Sequence, residues 1–157
     1  MYKNSLSILD VSDSALCDYG WKIASDRSDT AVRFVRGNKM RRVDRLFDEI
    51  SAACQFPYYF GENWPALSEC LGDLDWIASS NFVLIITRFS EVLVDEPNDI
   101  DAFVRCLGSA IRKYNKAKGN LDDNYSVSQV VINTTHIDES IMAVLSKEVG
   151  SPTVLHI

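Results

Sequence analysis

FVLIIT, residues 82–87, sets five apolar side chains and a threonine in a row without a polar break. A strand with one face in water alternates apolar and polar residues. A run without alternation, too short for a buried helix, reads as a strand covered on both faces, the mark of a parallel sheet between helices. QVVIN, residues 129–133, repeats the pattern. TAVRFVR, residues 30–36, reads as a further strand, ended by Gly37-Asn38. The stretches between these runs have helical spacing. Met40, Val43, Leu46, Phe47, Ile50 and Ala53 form one stripe that ends before Pro57. Asn63 is a good N-cap for a helix through Leu71, with Pro65 in the first turn, where a missing N–H costs nothing. Asn98 opens a helix whose stripe of Ile100, Phe103, Val104, Leu107, Ile111 and Tyr114 runs to Lys118-Gly119. Asp138 caps another, with Ile141, Val144 and Leu145 inward and Gly150 and Pro152 closing it. Thr153 to Ile157 is a candidate last strand. Leu6, Ile8 and Val11 suggest a strand or a docked arm in the less clearly patterned segment before Ser28. The fold class is therefore α/β, with a small parallel sheet of about three strands flanked by helices.

Charge narrows the function. The 157 residues carry 22 acids and 16 bases, a net of −6 at pH 7. Arg33 to Arg45 holds six bases (Arg33, Arg36, Lys39, Arg41, Arg42 and Arg45) and one acid, Asp44; Leu46 to Ala110 holds eleven acids and two bases, a net of −9. So acidic a stretch repels phosphate and disfavours nucleic acid as a direct partner. It favours a basic partner or a solvated surface. The four cysteines, Cys17, Cys54, Cys70 and Cys106, form no CxxC pair and read as thiols in a reducing cytoplasm. The only histidines, His136 and His156, have no ligand partner at helical spacing, so no metal site and no cofactor are expected. Residues 1–11 do not read as a signal peptide, and no apolar run approaches the ~18 residues of a membrane helix. GxGxxG, GxxxxGK[ST], HExxH and GxSxG are missing. Catalysis would have to rest on acids such as Asp122 or Asp123, and the expectation is a protein that is not an enzyme.

The densest chemistry lies in FPYYFGENWPALSECLGDLDW, residues 56–76, with six aromatic residues, four acids and neither Lys nor Arg. Glu62, Glu69 and Asp73 follow i+7 and i+4 steps and share one helix face, with Trp64, Leu67 and Leu71 on another. Gly61 is expected to let the chain turn into the helix and Gly72 to let it leave. One reading is an aromatic-flanked acidic knob for a cationic cleft, with carboxylates accepting charge-assisted hydrogen bonds. The other is an ordinary capped helix whose polar face is acidic.

Pro57, Tyr59, Phe60, Gly61, Glu62, Asn63, Ala66, Leu67, Glu69, Cys70 and Leu71, followed by the DLDW of residues 73–76, closely resemble the signature of the barstar family, intracellular protein inhibitors of barnase-like ribonucleases. The order strand, helix, short helix, strand, helix, strand after Thr30 is also similar to that fold. Length and composition read as one domain over 1–157; the resemblance covers a barstar-like core at about 30–133 and leaves outside it an N-terminal arm at 1–29 and a C-terminal extension at 134–157. It implies that Tyr59 to Trp76 plugs the active site of a basic ribonuclease or nuclease toxin in a 1:1 complex, by way of Tyr59, Phe60, Glu62, Asn63, Glu69, Asp73, Asp75 and Trp76. Glu69 would occupy the phosphate subsite, and Tyr59 would pack at the cleft edge. This chain differs from the family pattern in three places. Glu69 replaces a common aspartate, Pro65 stands where relatives often carry a second acid, and Ser68 where they often carry a tryptophan. The alternative is a barstar-fold module that binds a basic protein other than a nuclease. Arg33 to Arg45 reads as a solvated face, self-complementary to the acidic stretch. Oligomeric state is open.

Overall fold

The computed structural model describes residues 6–117 and 129–155, with residues 113–117 described as backbone alone. Asp122, Asp123, His156, the helix end at Lys118-Gly119 and the side chain of Tyr114 lie outside them. Ten elements follow in chain order: β1 (Leu6–Leu9), α1 (Asp13–Asp26), β2 (Thr30–Arg36), α2 (Val43–Ala53), α3 (Trp64–Asp73), β3 (Asn81–Thr87), α4 (Ile100–Ala117), β4 (Gln129–Asn133), α5 (Glu139–Val149) and β5 (Thr153–Val154). Asn98 lies in a single 3₁₀ turn, Pro97–Asp99, that leads into α4.

The sheet has five strands, in the order β2-β3-β4-β1-β5 and parallel throughout, where the sequence pattern gave about three. The two additional strands come from the ends of the chain. β1 sits between β4 and β5, and its register pairs Leu6 with Val130 and Ile8 with both Ile132 and Val154. Four residues with a serine in the middle give little strand signal. Ser7 becomes a buried strand residue because its hydroxyl accepts a hydrogen bond from Gln129 Nε2 at 2.7 Å. α1 was equally faint in sequence. Its buried stripe is Leu16, Gly20 and Ile23, and the glycine hides the pattern. That glycine serves close approach, since a Cβ there would lie 2.4 Å from the Phe34 ring.

Direction along the sheet decides which face each helix covers. The connection from β1 to β2 runs one way across β4 and β3, and all later crossovers run the other way. Parallel crossovers share one hand, so reversing direction moves the connection to the opposite face. Accordingly Leu16 and Ile23 of α1 pack with Leu9, Val83, Ile85 and Val131. α2, α3, α4 and α5 pack Leu46, Ile50, Leu67, Phe103, Leu107 and Leu145 on the other face, against Val35, Phe82, Leu84, Ile86 and Ile132. β3, where the sequence is apolar without alternation, is buried from Asn81 to Ile86. The second face positions the 56–76 segment.

Candidate functional site

Between α2 and α3 the chain is held at both ends. Phe56 N donates to Ser51 O at 2.9 Å, and Phe60 N donates to Pro57 O at 3.0 Å, closing a turn with Tyr58 and Tyr59 at its centre. Phe56 and Phe60 pack on each other edge-on, with ring centres 5.0 Å apart, and Phe60 packs on Phe47 of α2 at 5.8 Å. Phe47 also meets Trp64 at 5.1 Å. With Phe56 and Phe60 committed inward, the turn sends its two tyrosines outward: Tyr58 is 101% exposed and Tyr59 70%.

The helix start is built by Asn63. Its Oδ1 accepts from Ala66 N at 2.9 Å, and its Nδ2 donates to Gly61 O at 3.1 Å. The sharp turn into the helix is carried by Glu62, at φ +49°, and not by Gly61. The exit is likewise carried by Leu74, at φ +46°, whose N–H reaches Cys70 O at 3.2 Å, while Gly72 stays buried within the last turn. Left-handed backbone at a non-glycine residue costs about 1 kcal/mol or more, so surrounding contacts must enforce it. At Leu74 the contact is the side chain itself, buried in the core. At Glu62 the neighbouring Asn63 cap fixes the chain on the helix side.

The far end of the segment folds back on its beginning. Trp76 packs edge-on to Phe56 at 5.9 Å, and its Nε1 donates to Cys54 O at 2.9 Å. Residues 56–76 thus form a closed loop, with Trp76 36% exposed at the clasp.

Glu62, Glu69 and Asp75 are exposed, and among the described residues none of them makes a salt bridge. Asp73 is half-buried at the end of α3. Of the residues expected at the site, Tyr59, Glu62, Glu69, Asp75 and part of Trp76 face water, while Phe60 lies in the aromatic cluster and the Asn63 side chain holds the helix start. Tyr58, which is not among the residues expected there, is also exposed on the same turn. The signal was present, because Phe56 and Phe60 flanking a Pro-initiated turn leave both central residues outside.

Most bases of the 33–45 segment are paired within the chain. Glu49 accepts from Arg36 Nε, NH2 and backbone N at 2.7, 2.9 and 3.0 Å, and this guanidinium holds the Glu49 carboxyl below the usual glutamate range. Arg41 meets Asp95 at 2.7 Å, Arg42 meets Asp44 at 3.2 Å, and Arg45 approaches Asp48 at 3.7 Å. Burial pushes the Cys54 thiol up to about 12 and that of Cys106 to about 11, so neither is a ready nucleophile. His136 is exposed, and its backbone N–H and C=O both bond the Thr134 hydroxyl. Among the described residues no three His, Cys, Asp or Glu side chains are placed to hold a metal, and no helix is long and apolar enough to cross a membrane.

A family model described as Barstar (barnase inhibitor) matches residues 30–125, from β2 through α4 and including the whole 56–76 loop. Two solved chains, from the Drosophila ORC structures bound to GC-rich and to AT-rich DNA with Cdc6, are similar over 90% of this chain at 13% identity, with TM-scores of 0.48 and 0.46. This chain spans 46% of the length of each. No curated protein sequence matches it.

Proposed function

This chain belongs to the barstar family, and on that premise we propose that it inhibits a basic ribonuclease in the cytoplasm as a 1:1 complex, acting by binding and not by catalysis. The observation that carries the reading is Glu69, exposed on α3 without an ion-pair partner among the described residues. An unpaired carboxylate on a rigid helix can take the place of a phosphate among the cationic groups of a nuclease cleft, through charge-assisted hydrogen bonds. Glu62 and Asp75 extend the negative field and steer the partner in. Tyr59, Asp73 and Trp76 border that surface, Phe60 supports it from below, and Asn63 fixes the angle at which α3 is presented. Where the ribonuclease is a toxin, the chain would be its immunity protein.

The test is RNA cleavage by a panel of purified basic ribonucleases of the barnase type, titrated with this protein. Equimolar protein should stop cleavage by at least one, and association should slow as salt rises. Glu69→Ala should weaken that complex by about 2 kcal/mol or more, as expected of a hot spot. Failure of the wild-type protein to inhibit any member would sink the proposal. The exposed Pro65, where relatives often carry an acid, bears on the identity of the target, and the alternative is a basic partner that is not a nuclease. A complex that leaves cleavage intact would assign it.

A further inference from the structure

We infer that Tyr58 is a specificity-determining contact of this inhibitory surface, its exposed ring receiving a cationic side chain from the rim of the ribonuclease cleft. The inference rests on the inhibitor reading and adds to it a residue and a partner chemistry. Tyr58 touches little of its own protein. Its ring meets Tyr59 edge-on at 5.6 Å and is otherwise in water at 101% exposure. The turn beneath it needs no tyrosine. Its geometry comes from the Phe60–Pro57 hydrogen bond and from Phe56 and Phe60 packing inward. A large aromatic ring on a backbone pinned at both ends is preorganised for contact, because a tyrosine has few rotamers to lose on binding.

The chemistry of the contact follows from the surroundings. A tyrosine ring has a negative face that attracts ammonium and guanidinium groups. Residues 56–76 contain no Lys or Arg to occupy that face, and the exposed acids Glu62, Glu69 and Asp75 give the surface one sign of charge. A cation is therefore the partner group that both the ring and the field select. Position supplies the specificity. Glu69 and Tyr59 address the cleft and its edge, where the nuclease's own chemistry dictates the residues. Tyr58 stands one residue further from α3 on the same turn and meets the rim, where nucleases are free to differ.

The experiment measures binding kinetics of wild type, Tyr58→Ala, Tyr58→Phe and Glu69→Ala against the same ribonuclease panel, with the melting temperature of each free protein. With the ribonuclease that binds wild type, Tyr58→Ala should raise the dissociation rate about fivefold or more, the scale of a cation–π contact, with the melting temperature unchanged. Tyr58→Phe keeps the ring face and should stay within about twofold of wild type. A smaller effect of Tyr58→Ala beside a weakened Glu69→Ala overturns the inference and leaves the inhibitor reading standing. Loss in Tyr58→Phe equal to that in Tyr58→Ala also overturns it, because a hydroxyl hydrogen bond would then be the contact. If wild type binds no member of the panel, the inhibitor reading itself fails.

Discussion

The segments from Arg33 to Arg45 and from Phe56 to Trp76 are joined through α2, yet they dispose of their charge in opposite ways. In the first, Arg36, Arg41, Arg42 and Arg45 each find a carboxylate of their own chain, on α2 or on the stretch from Glu91 to Glu96. In the second, Glu62, Glu69 and Asp75 point away from the chain and among the described residues form no salt bridge. The difference shows why a segment's charge alone does not identify an interface. Six bases in thirteen residues look like the stronger electrostatic feature, but internal pairing leaves them little field to offer a partner. The acidic segment keeps its field and fixes it on a stiff aromatic base, the combination that recognition of a cationic surface requires.

Three changes to the protein can break or sharpen that contrast. The largest effect is expected at Phe47, the buried ring that links α2 to the acidic segment through Phe60 and Trp64. Phe47→Ala should lower unfolding free energy by about 3–5 kcal/mol, the usual cost of removing a buried aromatic ring. Near-wild-type stability in a urea titration would mean that the acidic segment does not depend on that base.

A smaller loss, about 1 kcal/mol, is expected for Asn63→Ala, which removes the α3 cap and the bond to Gly61 O. Here binding should suffer along with stability, since Glu62 and Glu69 are oriented from that helix start. Unchanged affinity in the variant would show that the acids act as diffuse charge and not as a placed constellation.

The smallest effect belongs to the basic segment. Arg36 depresses the Glu49 carboxyl below its ordinary 4.5, so the pair's contribution is present above that value and disappears as pH falls through the folded-state value. Glu49→Gln should therefore lower stability slightly at neutral pH, within the ~1 kcal/mol that surface pairs contribute, and the difference should close in acid. Inhibition of any ribonuclease that the wild-type protein stops should not change. If Glu49→Gln weakened the complex as much as Glu69→Ala, the division between self-paired and partner-facing charge would be wrong.

Much of this could be read in the residues. FVLIIT and QVVIN declared buried parallel strands because nothing polar interrupts them, and both are central in the sheet. The caps at Asn63 and Asp138 were legible because a short polar side chain before an apolar stripe has one good use. α1 was not legible, and β1 was legible only as a strand or a docked arm, with no place in the sheet. Four residues with an internal serine, and a helix with glycine in its buried stripe, acquire their structure from neighbours distant in the chain. The turns at Glu62 and Leu74 were misplaced onto the nearby glycines for the same reason. Local preference pointed to Gly61 and Gly72, but packing of the segment fixed the left-handed residues elsewhere.

The sequence by itself determined the α/β class, the helix caps, the acidic aromatic segment and its family signature, because each rests on periodicity or on neighbours within a few residues. Tertiary structure alone decided which rings hold Phe60 and Trp76, that Arg36 and Arg41 are neutralised by Glu49 and Asp95, and that the N-terminal strand lies inside the sheet. Those outcomes depend on groups far apart in the chain, 13 residues for Arg36 and Glu49 and 122 for Ser7 and Gln129. Pairing across such distances is set by packing, and packing is a property of the folded chain.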